Sequence, residues 1–411
     1  MRACYVGFIT QAIINNLAPI LFIIFQTEFQ ISFEMIGRLI FLNFGTQILA
    51  DIFAVRYADT IGHRKMAVMA HGFAALGLVG LGLFPQIFPS PYVGLGAAVM
   101  IYAVGGGIIE VLVSPMVEAL PTEAKASAMS LLHSFYCWGQ MGVVILTTLV
   151  LWAFGTDIWV VLPIAWAVVP IYNLFKFLKV PLMPALAMEH KLRVRELLRS
   201  NAFVLAMVLM IASGASELTM SQWSSLFAER GLQVPKVVGD LLGPALFALL
   251  MGIGRTVFGI WGHRMDLKKM LLGSGILCVV CYGITVFAQN PMVALIGAAV
   301  CGLSVALMWP GTMSLSAAAY PMGGTAMFGL LAIGGDIGAA AGPWAAGYVS
   351  DVVQRSPELI SWAIGWELAP DQLGLKAGLL VATVFPVLLV GALLLMKRNG
   401  RRASESRAAA V

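Results

Sequence analysis

The chain has 411 residues, of which 60% are hydrophobic and only 11% charged, with a mean hydropathy of +0.91 and a formal charge of +5. A soluble globular domain carries about a quarter charged residues, so this composition excludes one and points to a polytopic membrane protein. The positive balance describes contact with anionic lipid and membrane orientation and gives no footprint for nucleic acid.

A bilayer-spanning helix needs about 20 apolar residues, and twelve such segments are predicted: roughly 3–25, 34–57, 66–87, 92–118, 126–153, 157–178, 201–228, 237–262, 269–289, 292–316, 323–351 and 374–396. The first run is long enough to span and has no small-residue processing site, so it is expected to act as an uncleaved insertion signal. With both termini cytoplasmic, about 19 of the 25 Lys and Arg lie on the inner side, including Arg56, Arg64, Lys65, Lys268 and Lys269. Arg230, Lys236, Arg355 and Lys376 fall outside, which is the bias expected of a multi-pass inner-membrane protein.

The organisation is read from a duplication. The hairpin Arg56-Tyr-Ala-Asp-Thr-Ile-Gly-His-Arg-Lys65 is echoed by Trp261-Gly-His-Arg-Met-Asp-Leu-Lys-Lys269 at a shift of 204 residues. Ser130-Leu-Leu-His-Ser-Phe-Tyr-Cys-Trp-Gly139 aligns with Gly329-Leu-Leu-Ala-Ile-Gly-Gly-Asp-Ile-Gly338 at a shift of 199, and Pro121 with Pro321 at 200. The expected fold is therefore an all-α membrane protein of 12 helices in two six-helix pseudo-repeats. Residues 1–178 form the first bundle, 179–200 a basic linker interrupted by Pro181 and Pro184, 201–396 the second bundle, and 397–411 a basic cytoplasmic tail. Parallel repeats with a site between them are an architecture of secondary transporters.

At this point the chain resembles the major facilitator superfamily over nearly its whole length. The hairpin matches that superfamily's loop signature at Asp59, Gly62, Arg64 and Lys65, which are given a gating role. It departs at Val55 and Thr60, where the signature carries Gly and a cation. Within the superfamily the chain looks most like the fucose permease-like sugar/proton symporters, through Gly107-Ile-Ile-Glu110 to Pro115, Ser130 to Tyr136, Glu217 to Trp223, and Trp309-Pro310.

Ionisable groups inside a membrane are costly and mark cavities, relays or buried pairs. Glu110 lies mid-helix beside Gly105-Gly106-Gly107, and desolvation there favours the neutral carboxyl that a reversible proton carrier needs. The resemblance also implies this role, since an acid in the fourth helix is the usual protonation site of the group. A structural alternative is a protonated Glu bonded to a neighbouring helix. Pro19 stands where some relatives carry a second acid; Asp51, which shares one helix face with Asn43 and Gln47, is the candidate substitute, or else an anchor for the hairpin. At 1.5 Å per residue, Asp51, Glu110 and His133 lie at a common depth of roughly 10–14 Å from their cytoplasmic helix ends.

A hydroxyl-rich solute needs several hydrogen-bonding groups around an aromatic face. The candidates are Gln11 and Asn15 on the first helix, His133, Tyr136 and Gln140 on one stripe of the fifth, Glu217, Gln222 and Trp223 on the seventh, and Trp309 on the tenth. Pro310 next to Trp309 breaks the helical ladder and exposes a carbonyl. His133 departs from the amide that the resembled group tends to carry on this turn. Each of these residue types also serves as a helix-packing contact. Arg255 and Asp336 are read as a gating or static pair, with Glu217 as the other possible partner of Arg255.

Cys278-Val-Val-Cys281 has metal-like spacing without a nearby His or acid, so no metal is expected and the cysteines are read as packing residues. No cofactor is expected either; the proton is the coupling ion, with sodium as a variant that carboxylates can also ligate. The reading is a monomeric, proton-coupled importer of a sugar or polyol, with a small-molecule solute and membrane lipid as its partners and no enzymatic activity, since no nucleophile–base pair is evident. A proton-coupled exporter of drugs or metabolites is the alternative, suited by 22 Met and 22 Phe in a plastic cavity. A membrane sensor is the reading from a different class.

Overall fold

The structure is a computed structural model; it describes the backbone except at 119–124, 182–193, 262–265, 321, 365–368 and 409–411. Side chains are described except there and at 59, 115, 118, 125–130, 324–326, 360, 362–364 and 397–408. Twelve long helical segments account for the fold. They are α1 (Arg2–Phe29), α2 (Phe33–Ile61), α3 (His63–Ile87), α4 (Pro91–Glu118), α5 (Lys125–Phe154) and α6 (Thr156–Lys179), then α7 (Asn201–Gly231), α8 (Lys236–Trp261), α9 (Leu267–Phe287), α10 (Pro291–Ala319), α11 (Gly324–Arg355) and α12 (Pro370–Met396). Eleven of these are long and apolar enough to cross a membrane. The remaining one, α11, has 32 residues, but its many glycines, Asp336 and Asp351 dilute its apolar character. The expected all-α fold in two six-helix repeats is what the chain adopts, with each predicted segment shifted by only a few residues.

Burial sorts the helices into layers. The most apolar window of α1 is 94% buried in protein and that of α7 72%, against 33% for both α6 and α12. The cause lies in the side chains. Thr10, Gln11, Asn15 and Asn16 are all buried, and polar groups of this kind cannot face hydrocarbon. The outer helices instead present Trp152, Phe154, Phe175, Phe287 and Leu388 outward, where lipid replaces water and exposed apolar surface costs nothing.

Across the halves, α2 packs antiparallel on α11 and α5 on α8, while α1 reaches α7. Close approach of α2 and α11 depends on missing side chains: a Cβ on Gly37 would stand 3.2 Å from the Trp344 Cα, and one on Gly347 2.7 Å from the Phe33 carbonyl oxygen. Near the α2–α3 hairpin the same two helices meet where Val55 reaches Gly329.

That hairpin turns at Gly62, whose φ of +94° suits a residue without Cβ. Arg64 then donates to the carbonyls of Phe177 (2.9 Å), Leu178 (2.6 Å) and Val180 (2.8 Å). A guanidinium fork thus caps the C-terminal end of α6, where unpaired carbonyls and the helix dipole attract a cation. Lys65 is exposed, and the side chain of Asp59 lies outside the described residues. In the second hairpin 262–265 also lie outside them, while Asp266 caps α9 by accepting from the amides of Lys268 (3.1 Å) and Lys269 (3.2 Å).

Candidate functional site

Between the halves lies an open cavity enclosing about 550 Å³ of space, open solvent included. Its walls come from eight helices: Phe8, Gln11 and Asn15 of α1, Phe44 of α2, Glu110 of α4, His133 and Tyr136 of α5, Glu217 and Leu218 of α7, Arg255 of α8, Trp309 of α10, and Asp336 and Ala339 of α11. Eight of these, Gln11, Asn15, Glu110, His133, Tyr136, Glu217, Trp309 and Asp336, were predicted for binding, coupling or gating, and Arg255 joins them as a predicted gating residue.

A buried amide ladder supports the acid. Gln11 Nε2 donates to Glu110 Oε2 at 3.0 Å and to Gln47 Oε1 at 2.7 Å. Gln47 and Asn43 in turn donate to Asn15 Oδ1 at 2.9 and 3.0 Å. The four-residue spacing of Asn43 and Gln47 puts both amides against α1, and these bonds offset part of the cost of burying so many polar atoms, with Gln11 Oε1 and Asn43 Oδ1 left unpartnered among the described residues. On the facing wall Asn16 donates to the Tyr136 hydroxyl at 3.2 Å, and Phe8 meets the His133 ring edge-on at 5.0 Å. Amide, hydroxyl and imidazole groups therefore converge on a space bordered by Phe8, Tyr136 and Trp309.

From the opposite half, Arg255 Nη2 lies 3.1 Å from both oxygens of Glu217. Both partners are buried. Of the two acids the sequence offers Arg255, Glu217 takes the guanidinium, while Asp336 Oδ2 has no hydrogen-bond partner among the described residues. Arg255 Nε also reaches the Ala306 carbonyl at 3.4 Å. That oxygen belongs to the residue four before Pro310, so it is the acceptor left without a helical N–H, and α10 breaks into Pro291–Val305 and Met308–Ala319 at this point.

Pro19 does the same in α1. It deprives the Asn15 carbonyl of its donor, and Gln222 Nε2 of α7 fills the vacancy at 2.6 Å. Gln222 is thus a bridge between halves. Gln140, on the predicted α5 stripe, likewise donates across the halves to Ser221 at 2.8 Å; neither amide borders the main cavity. Trp223 is a further correction: it is 2% exposed, its Nε1 donates to the Pro343 carbonyl at 3.0 Å, and its ring packs edge-on against Phe33. Its size and its indole donor suit this close-packed crossing of α7 with α11, away from the solute space. Gly62, Arg64 and Lys65 also lie away from the cavity, at the hairpin. Asp51 is buried beside Gly107, where an added Cβ would come within 2.7 Å of its Oδ1, and among the described residues it forms no ion pair with a hairpin cation.

Sequence reasoning missed a second polar bridge, at the end opposite the hairpin. Thr148 of α5 donates to Asp240 Oδ2 at 2.8 Å, Ser225 donates to the other oxygen, and Lys236 Nζ lies 3.1 Å from Oδ2 while donating to the Ile20 carbonyl at 3.0 Å. The signal was present as an i, i+4 cation and acid at the start of α8. Among the described residues no cluster of His, Cys, Asp and Glu has metal-binding geometry.

The family model described as Major Facilitator Superfamily matches residues 3–343 and 242–409. The chain belongs to that superfamily. Its members are transporters, and this transporter shares their fold with solved structures at low sequence identity. The E. coli fucose:proton symporter is 16% identical with a TM-score of 0.63, the match covering 94% of this chain and 98% of that one. A bacterial homologue of the human lysosomal transporter Spinster, inward-facing and occupied, is 13% identical with a TM-score of 0.69 over 97% and 96% of the two chains. A D-xylose-proton symporter is 13% identical with a TM-score of 0.72 over 96% and 95%. No curated protein sequence matches the transporter.

Proposed function

We propose that this transporter carries a sugar or polyol into the cell, coupled to protons, with Glu110 as the coupling acid. The observation that carries the reading is the Gln11–Glu110 hydrogen bond of 3.0 Å at the wall of a cavity ringed by amides, a hydroxyl and aromatic faces. A solute with many hydroxyls finds partners on both halves there, and its C–H faces find Phe8, Tyr136 and Trp309. Two of the similar structures are themselves described as a fucose and a xylose symporter with protons, which agrees with this choice of solute.

Protonation of Glu110 removes a buried charge from the cavity wall and favours loading; release to the cytoplasm follows its deprotonation. Both termini face the cytoplasm in this arrangement, and Arg64 and Lys65 lie on the same side of an inner membrane. Gln11, Asn15, His133, Tyr136 and Trp309 bind the solute, while the Glu217–Arg255 pair orients the opposite wall.

The test is uptake of a panel of radiolabelled sugars into proteoliposomes with and without an inward proton gradient, comparing native protein with Glu110→Gln. Gradient-driven accumulation lost in the variant, with exchange retained, is the expected result. Full concentrative uptake by Glu110→Gln would remove Glu110 from the mechanism, and no accumulation of any sugar would redirect the reading to export.

A further inference from the structure

The α2–α11 contact carries a pair of acids that the amide ladder and the Glu217–Arg255 pair leave aside. Asp51 and Asp336 come from opposite halves and are 1% and 2% exposed. They lie on facing stretches of the two helices, between the Gly37–Trp344 and Val55–Gly329 contacts, and each carboxyl interacts with the other. Among the described residues neither Asp51 oxygen, nor Asp336 Oδ2, has any donor. Two ionised carboxylates meeting in a buried interface repel strongly, and each also bears the desolvation cost of an unsatisfied charge. One bound proton resolves both problems, because the protonated acid becomes a donor to its ionised neighbour.

The surroundings offer no other solution. On α4, Glu110 adds further negative charge. On α7 and α8, Glu217 and Arg255 face the same cavity but engage each other. On α5, His133 borders the same cavity as Asp336, and among the described residues no ion pair joins a cation to either carboxyl. The backbone is also cleared for Asp51, since any side chain at Gly107 would collide with it.

We propose that Asp51 and Asp336 together bind one proton, separate from that on Glu110, and that this shared proton latches the two halves at the α2–α11 contact. With the proton bound the pair has one negative charge and one O–H···O⁻ bond joining the halves. Loss of the proton leaves two negative charges facing each other, and α2 separates from α11 at the hairpin end, where Val55 now meets Gly329. The pair thus makes opening at this end a proton-dependent step, whatever the solute.

The experiment is a spin-label distance measurement on purified full-length protein bearing Tyr57→Cys and Phe328→Cys. Both positions are exposed, 41% and 43%, on the hairpin-side portions of α2 and α11, whereas the five native cysteines are buried. No solute is needed, so the result stands apart from the sugar reading. The short-distance population is expected to dominate at mildly acidic pH and to fall at alkaline pH, with the same titration when N-methylglucamine replaces sodium. Asp336→Asn and Asp51→Asn each supply a permanent amide donor and should hold the short distance at all pH values; Glu110→Gln should keep the native response. Persistence of the pH response in both Asn variants, a distance unchanged by pH in native protein, or a response that follows sodium in place of pH would overturn the proposal. An infrared carbonyl band of a protonated acid, present at acidic pH in the Glu110→Gln protein and absent when Asp51→Asn and Asp336→Asn are added to it, checks the proton directly without relying on the labels.

Discussion

The Gln222 side-chain amide of α7 donates to the Asn15 main-chain carbonyl of α1 at 2.6 Å, and that carbonyl is available because Pro19, four residues on, has no N–H to offer it. A residue that reads as a gap in an acidic pattern is therefore the origin of a bond between the halves. Arg255 and the Ala306 carbonyl repeat the relationship around Pro310 at 3.4 Å. Proline in a membrane helix is tolerated when a neighbouring helix satisfies the freed oxygen, and here that requirement is met by side chains from other helices.

Breaking this bond should loosen α1 from α7. Gln222→Leu loses a hydrogen bond whose net value is about 1 kcal/mol, so the closed population at the end opposite the hairpin should fall by about fivefold relative to the open one. Pro19→Ala should act in the same direction, since a restored helical N–H competes for the Asn15 oxygen. Distances between spin labels placed across that end provide the readout, and an unchanged population in both variants would show that the bond does not help hold this end shut.

Removing one member of the buried ion pair should be far more damaging than removing both. Arg255→Met strands the Glu217 carboxylate, at a cost of about 3–5 kcal/mol, and should lower the thermal midpoint of the detergent-solubilised protein. Combining it with Glu217→Gln removes the stranded charge and should recover most of that loss. A double variant no more stable than Arg255→Met would mean that the two groups are not energetically coupled.

Two glycines should respond in opposite ways to alanine. At Gly107 a Cβ would stand 2.6 Å from the Gln47 carbonyl oxygen and 2.7 Å from Asp51 Oδ1, whereas nothing lies within 4 Å of one at Gly142. Gly107→Ala must push α4 from α2, at a cost of about 1–3 kcal/mol, and should abolish uptake. Gly142→Ala removes only the helix penalty of glycine, about 1 kcal/mol, and should leave the thermal midpoint equal or higher with transport intact.

The hairpin cations should separate as well. Arg64→Ala leaves the carbonyls of Phe177, Leu178 and Val180 without their donors, so limited proteolysis near the end of α6 should accelerate. Lys65→Ala, at an exposed position, should cleave at the native rate; equal rates for all three proteins would deny Arg64 its capping role.

Much of this molecule follows from sequence-local physics. Runs of apolar residues must become helices in a bilayer because their backbone groups have no other partners, so the twelve segments, the Gly62 turn and the breaks at Pro19 and Pro310 are written in the chain. The duplicated motifs disclose two repeats, and the charge-bearing positions Glu110, Glu217 and Arg255 identify helices that face protein. Helical spacing also put Asn43 and Gln47 on one face, where they now clasp Asn15.

Partner choice between distant helices is a different matter. Arg255 had two acids available in sequence, and only the rotation and depth of α7, α8 and α11 bring it to Glu217 and leave Asp336 facing Asp51. The same packing takes Trp223 and Gln222 out of the solute space and turns them into contacts between helices. Hydrogen bonds and ion pairs depend on separations of a few tenths of an ångström, whereas a helical repeat specifies only a face; the approach of one helix to another, governed here by glycines at their crossings, decides which polar groups meet.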